Sequence, residues 1–209
     1  ISPFAKNVMP SALLKSFGKL KPKRPPRGFK KVVSKEEILV EENKELNVVN
    51  VTIELPEGSM WIETGRMTGG SKNQLDMSKK GKHNGELLQG SVVYFGLDPD
   101  DVDASKNIDI HLGGKVYKVN PVFYTPGNSN WRMQLKGVTD DDEKLTAISR
   151  MQLGQDGGFV NKILLFTRID DTNYKLEILD IDDRDKLIEN SSTWGKMGNE
   201  TTGRAYGFI

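Results

Sequence analysis

Two alternating runs of apolar and polar residues meet at Gly113-Gly114 in the stretch NIDIHLGGKVYKVNPVFYT, residues 107–125. Such alternation puts apolar side chains on one face of a strand, and a glycine pair between two runs favours the tight turn of a hairpin. The runs VNKILLFTRID and NYKLEILD, within residues 160–180, flank a second turn at DDTN. These two hairpins predict a mostly β fold.

Four further runs have β-type composition: LNVVNVTIEL (46–55), GSMWIET (58–64), GSVVYFGL (90–97) and NWRMQLKGV (130–138). In the body of the chain only DEKLTAISRMQL, residues 142–153, predicts a helix. The sequence therefore predicts about seven short strands over residues 46–181, with one or two short helices. Close strand spacing with few helices is typical of an all-β barrel or sandwich.

The first part of the chain has a different composition. Residues 1–35 contain ten Lys or Arg and no acidic residue. The stretch KPKRPPRG excludes a helix, because Pro22, Pro25 and Pro26 fix φ and remove backbone donors. We therefore expect a basic, proline-containing linker or extension over residues 1–45 and a folded domain over residues 46–209. The sequence begins with Ile1, so we expect it to belong to a longer protein with catalytic parts upstream.

Several classes of function find little support in the residues. The chain has no cysteine, which fits a cytoplasmic setting, and no run of apolar residues long enough to span a membrane. It has two histidines without metal-ligand spacing and no glycine-rich loop of the phosphate-binding GxxxxGK[ST] type. We therefore expect no cofactor, no bound metal and no membrane partner.

Three polar, glycine-containing segments carry the residue types that bind nucleic acids. Phosphates are bound by Lys, Arg, Ser, Thr and backbone N–H groups, and base edges are read by Arg, Lys, Asn and Gln. The first segment, ETGRMTGGSKNQLDMSKKGK, lies at residues 63–82, the second is TPGNSNWR (125–132), and the third is the tail from residue 190. The candidate DNA-binding residues are Arg66, Ser71, Lys72, Asn73, Gln74, Lys79, Lys80, Lys82, Asn128, Ser129, Asn130, Trp131, Arg132, Lys196, Asn199 and Arg204.

The order of ETGRMTGGSKNQLDMS, a strand-rich middle and a closing GKMGNETTGRAYGF resembles one family of DNA-recognition domains. It is similar to the C-terminal domain of restriction endonucleases whose nuclease half is of the phospholipase-D type. Those domains resemble the plant B3 domain, a seven-stranded DNA-binding pseudobarrel. The resemblance covers roughly residues 46–209, and the basic lead-in would then be the linker from the nuclease half.

The resemblance implies a function and a partner. Two arms would grip the major groove of double-stranded DNA. The N-arm would run from Arg66 to Lys82, and the C-arm would be the loop near Asn128 to Arg132 or a later strand connection. The HxKxxxxD motif of the nuclease half is absent. The chain would thus be the non-catalytic target-recognition domain of a type II restriction endonuclease, acting in a cytoplasmic restriction-modification system beside an upstream nuclease domain or subunit.

Three alternatives remain open on the sequence. A reader of modified, for example methylated, bases would flip one nucleotide and stack it on Trp131, Trp194 or Tyr206. A metal-dependent nuclease would hold a cation with Asp100 and Asp142 beside Lys144. A protein-interaction β domain would use the basic lead-in to bind acidic partners or RNA.

Overall fold

The computed structural model describes residues 55–67, 70, 72–149 and 158–209. These stretches form eleven strands: β1 (Ser59–Glu63), β2 (Gln74–Met77), β3 (Lys80–His83), β4 (Glu86–Gln89), β5 (Ser105–Leu112), β6 (Lys115–Thr125), β7 (Asn130–Gln134), β8 (Lys162–Arg168), β9 (Asn173–Asp180), β10 (Thr193–Met197) and β11 (Ala205–Phe208). Two short α-helices are present in the same stretches, α1 (Leu145–Ser149) and α2 (Arg184–Glu189). No helix in the described part of the chain is both long and apolar enough to cross a membrane.

The strands form one mixed sheet in the order β2-β7-β6-β5-β9-β8-β1-β11-β10-β3-β4. Neighbouring strands are antiparallel except β5 and β9, which pair in parallel through His111 and Lys175, among others. No ladder of hydrogen bonds closes the sheet. Nevertheless β2 at one margin is followed directly in the chain by β3 near the other. Because only Ser78 and Lys79 separate them, the margins lie within about 11 Å of one another, so the sheet is strongly curled.

The interior of the curled sheet holds the main apolar core. On β1, Met60 and Ile62 face this core, whereas Trp61 faces a second cluster on the outer side, where Leu187 of α2 covers it. The Trp61 indole also donates a hydrogen bond of 2.8 Å to the Ser191 hydroxyl. β1 lies inside the sheet, between β8 and β11, and is buried on both faces. Residues that bind a ligand at the surface are therefore expected nearer the margins of the sheet.

Both predicted hairpins are confirmed. β5 and β6 are joined by Gly113 and Gly114, whose φ values of 59° and 77° are the left-handed pair that a tight turn of this kind requires. β8 and β9 are joined at the DDTN turn, where Asp170 accepts hydrogen bonds from the following backbone. The mostly β prediction is therefore confirmed.

Two parts of the sequence prediction were wrong. The stretch GSVVYFGL is not a strand: Ser91–Phe95 is a 3-10 helix, ended by Gly96 at a φ of 75°. Its Val92 and Phe95, three residues apart, both enter the core, so the run has helical rather than strand periodicity. The expected count of seven strands is too low, because polar, glycine-containing segments form β2, β3, β4, β10 and β11. The predicted run at residues 46–54 and the end of the predicted helix lie outside the described residues.

The connection between β2 and β3 is held against the chain that follows β4. The Ser78 amide donates to the Ser91 hydroxyl at 3.0 Å. A Cβ atom added to Gly90 would lie 2.2 Å from the backbone carbon and oxygen of Lys79, so only glycine fits this approach. The lysine-rich segment, residues 79–82, is thereby fixed to the fold at the point where the margins meet.

Candidate nucleic-acid interface

An open cleft of about 520 Å³ lies where the sheet margins approach each other, and we call it the lysine cleft. The three polar segments of the sequence all contribute to its walls. Its lining residues are Asp76, Met77, Ser78, Lys79, Lys80, Ser129, Asn130, Met197, Gly198, Thr202, Gly203 and Arg204. Segments separated by about fifty to seventy residues thus meet at one surface, five of the sixteen candidate residues being among them.

The two lysines of the cleft are not neutralised by acidic neighbours. Neither Lys79 nor Lys80 forms an ion pair with any residue in the described ranges. Lys79 instead places its ammonium nitrogen 4.7 Å from the centre of the Tyr124 ring, a cation–π contact that holds the charge without cancelling it. The cleft therefore presents positive charge to a ligand.

Asp76 binds two of the candidate arginines, Arg132 through its carboxylate and Arg204 through its backbone carbonyl oxygen. Arg132 directs both Nε and Nη2 to the same Asp76 carboxylate oxygen, each at 2.9 Å. Its side chain is only 12% exposed, and that of Asp76 27%. Because the pair is largely buried, removal of one partner alone would leave an uncompensated charge and would be costly. Arg132 thus stabilises the framework of the cleft.

Arg204 is likewise occupied by the framework. Its guanidinium donates to the backbone carbonyl oxygens of Glu63 and Thr64 at 3.2 and 3.0 Å, and to that of Asp76 at 2.8 Å. Burial lowers the pKa of Arg204, while the charges of Asp76 and Glu63 act in the opposite direction. Arg204 joins the tail to β1 and β2 and so fixes the shape of the cleft. Beside it, Arg66 and Gln74 line a smaller cavity of about 180 Å³.

The loop between β6 and β7 forms the opposite wall. Asn128 and Ser129 are exposed there, and Ser129 adopts a left-handed φ of 51°. At the base of the loop, where Thr125 pairs with Asn130, the Thr125 hydroxyl and the Asn130 Oδ1 are buried and have no hydrogen-bond partner among the residues that the structure describes. Buried polar groups are nearly always hydrogen bonded. The base of this wall therefore holds two buried polar atoms whose hydrogen bonds the described residues do not supply.

The remaining candidate residues differ in their accessibility. Trp131 is fully buried and donates its indole N–H to the Pro99 carbonyl at 3.1 Å, so it belongs to the core and not to a stacking surface. Asn73 donates to the Leu135 carbonyl oxygen at 3.4 Å, and Asn199 accepts backbone N–H groups within its own turn. Lys72 is exposed, and Ser71 lies outside the described residues.

Lys82 and Lys196 lie outside the lysine cleft. They line a separate pocket together with His83 and Trp194. Tyr206, another residue considered for base stacking, is 1% exposed and donates its hydroxyl to the Gln89 carbonyl oxygen at 2.5 Å. Of the three aromatic residues considered for stacking, only Trp194 is therefore partly accessible.

The residues of the metal-nuclease alternative do not assemble. Pro99, next to Asp100, accepts a hydrogen bond from the Trp131 indole, and Trp131 pairs with Tyr124 near the end of β6. Lys144 pairs with Val138, which in turn pairs with Lys118 near the start of β6. Six residues of β6, about 20 Å, separate these two places. Asp142 is exposed in the turn just before Lys144. In the described ranges no three His, Asp or Glu residues form a group that could hold a metal ion.

Sequence reasoning missed the two groups that shape the cleft, Asp76 and Tyr124. Asp76 lies between buried Leu75 and Met77 in β2, and a carboxylate in that setting indicates a basic partner nearby.

Comparison of the chain with protein-family models and with curated proteins gave no match. The geometry therefore carries the functional argument alone.

Proposed function

We propose that this chain binds double-stranded DNA in a sequence-specific manner and serves as the target-recognition domain of a type II restriction endonuclease. The observation that carries the proposal is the convergence of three polar segments, remote in sequence, on the lysine cleft. A curled sheet that supports such projections is the arrangement expected of a B3-like pseudobarrel. The nuclease would then lie in another part of the same protein or in a partner subunit.

The charge distribution supports binding of a polyanion. Lys79 and Lys80, at the cleft, form no ion pair with a described residue, whereas Lys115 and Lys118, at the other end of β6, are paired with Glu143 and Asp140. DNA affinity depends mainly on cationic side chains that displace counterions from the phosphates. Lysines that form no ion pair do this without first breaking a salt bridge.

Within this proposal the candidate residues divide into two roles. Arg132, Arg204 and Trp131 hold the walls in place, because their polar groups are engaged inside the protein. Arg66 and Asn128 are exposed and carry the donor and acceptor patterns that read guanine and adenine edges. We therefore assign base reading to these two and phosphate contacts to the lysines.

The decisive test is selection of bound sequences from a pool of random DNA duplexes. We expect enrichment of one short motif, and we expect Arg66→Ala or Asn128→Ala to relax the preference at one position of that motif by about 1–3 kcal/mol. Lys115→Ala, at the far end of the fold, is the matched control. Enrichment of no motif would contradict sequence-specific recognition.

The same selection separates the alternatives. Competition between plain and methylated duplexes of the selected sequence tests for a modified-base reader, and tighter binding to single-stranded RNA would favour the RNA-binding alternative. Incubation of the selected duplex with Mg²⁺ should leave it intact. Cutting that is lost in Asp142→Ala would instead support the metal nuclease.

A further inference from the structure

A second pocket, of about 260 Å³, lies on the outer face of the three strands at the end of the sheet. Its walls are Lys82, His83 and Asn84 at the end of β3, and Trp194, Lys196 and Glu200 from β10 and the following loop. It is lined by none of the residues that line the lysine cleft. It is therefore a separate site on the same sheet.

Lys82 and Lys196 are directly opposite each other across β3 and β10. Side chains in this position point to the same face and lie close together, and like charges so placed destabilise the sheet. Within the described residues neither lysine forms an ion pair, and Lys196 reaches only the Thr201 carbonyl oxygen, at 3.3 Å. Among the described residues, neither of the two charges is neutralised by an ion pair.

The carboxylate in the pocket is engaged elsewhere. Glu200 accepts the Gly85 backbone N–H at 3.0 and 3.3 Å, so it fixes the turn between β3 and β4 and does not pair with a lysine. His83 and Trp194 form the remaining wall, with ring centroids 4.3 Å apart in an edge-to-face arrangement. The His83 Nε2 contacts the Asn84 amide nitrogen at 3.1 Å, so Nδ1 is the ring nitrogen that remains to hydrogen bond a ligand.

We propose that Lys82, Lys196 and His83 form a binding site for a phosphoryl group. An anion between the two lysines would remove their mutual repulsion, and their N–H donors would form charge-assisted hydrogen bonds to its oxygens. The phosphoryl group belongs either to the backbone of a bound nucleic acid or to a small phosphorylated ligand. The site depends on the pocket alone and does not require that the chain recognise a DNA sequence.

Tryptophan fluorescence provides a direct readout. Trp61 and Trp131 are fully buried, so of the three tryptophans of the chain only Trp194 is partly accessible, and it lies in this pocket. We expect iodide, an anion, to quench the emission more strongly than caesium does. Inorganic phosphate, added at constant ionic strength against chloride, should protect Trp194 from iodide in a saturable manner.

The variants Lys82→Ala and Lys196→Ala test the site. Each should raise the half-saturating phosphate concentration by about tenfold, as expected for loss of one charge-assisted hydrogen bond. Lys115→Ala should leave it unchanged, and thermal melting of all variants checks folding. Lys196→Glu, which adds a carboxylate beside Lys82, should abolish the protection altogether. Equal phosphate titrations for the parent protein, Lys82→Ala and Lys196→Glu would overturn the proposal.

A second experiment, titration of the variants with duplex DNA, identifies the source of the phosphoryl group. If Lys82→Ala and Lys196→Ala also weaken duplex binding, the phosphate belongs to nucleic acid; if duplex binding is unchanged, the ligand is a small phosphorylated molecule. Lys80→Ala, in the lysine cleft, should weaken duplex binding without altering the phosphate titration. Failure of the phosphate site and failure of the proposed DNA-binding function therefore give different results.

Discussion

Individual side chains show why composition alone misassigns roles. Arg132 and Arg204 have the residue type expected of phosphate ligands, yet both are engaged by internal acceptors. The partner of Arg132 is Asp76, which is 56 positions away in the chain. Local sequence does not reveal such a pairing, because it depends on which strands become neighbours. Lys80 and Lys82, whose flexible ammonium groups prefer water, are exposed at the surface.

Tyr206 provides a test at the same scale. Burial raises the pKa of its phenol from 10.0 to about 12. The folded state therefore holds this proton more tightly than the unfolded state, so the stabilisation is complete below pH 10 and is lost as the pH rises to about 12. We expect Tyr206→Phe to lose stability less steeply over this range. At neutral pH it should be less stable by about 1 kcal/mol, because the hydrogen bond to Gln89 is lost.

Urea unfolding at a series of pH values measures both effects. Some loss of stability at alkaline pH should remain in Tyr206→Phe, since burial also raises the pKa of Tyr94 to about 12. In the double variant that also carries Tyr94→Phe, stability should depend even less steeply on pH. An alkaline slope identical in the parent protein and Tyr206→Phe would mean that the phenol is not protected by the fold.

At the scale of elements, hairpins with strong apolar alternation were predictable and polar ones were not. The β3–β4 hairpin had a local signal, the pair Asn84-Gly85, both with positive φ in the structure. Asn-Gly is the preferred pair for a two-residue hairpin turn. Its flanking residues, KGKH and ELLQ, show no alternation of apolar and polar side chains, however, so the strands were not recognised. β10 and β11 form because β11 pairs with central β1, a long-range contact that local pattern does not report.

Gly90→Ala tests how the lysine-rich connection is held. The added Cβ would lie 2.2 Å from the Lys79 backbone, which cannot rotate away as a side chain can. We expect a loss of about 1–3 kcal/mol in the free energy of unfolding, as in other overpacked sites, together with weaker DNA binding because Lys79 is displaced. Urea unfolding and duplex titration measure the two effects.

Gly127→Ala is the matched control for this prediction. No atom lies within 4 Å of a Cβ at Gly127, and its φ is not in the left-handed region. Its unfolding free energy should stay within about 0.5 kcal/mol of the parent value. If Gly90→Ala were equally harmless, the junction of the sheet margins would be looser than its geometry implies.

On the scale of the whole molecule, the sheet brings together what the sequence only suggested. Short connections and a curled sheet place the lysine-rich segment, the β6–β7 loop and the tail around one cleft. At the opposite end of β6, Lys115 and Lys118 are paired with Glu143 and Asp140. In the sequence, Lys79 and Lys80 belong to a basic run and residues 140–143, DDDE, form an acidic one, but their assignment to different ends of β6 follows only from strand order and register.

The salt dependence of duplex binding measures this separation of charge. For each phosphate contact removed, the slope of log affinity against log salt concentration should become shallower by about 0.9. We therefore expect this change in Lys79→Ala and in Lys80→Ala, with affinity lowered alike for all duplex sequences. Lys115→Ala, ten residues and about 33 Å along β6 from Thr125, should leave the slope unchanged. Slopes unchanged in both cleft variants would mean that these lysines do not contact phosphate, because removal of a counterion-releasing contact always reduces the dependence on salt.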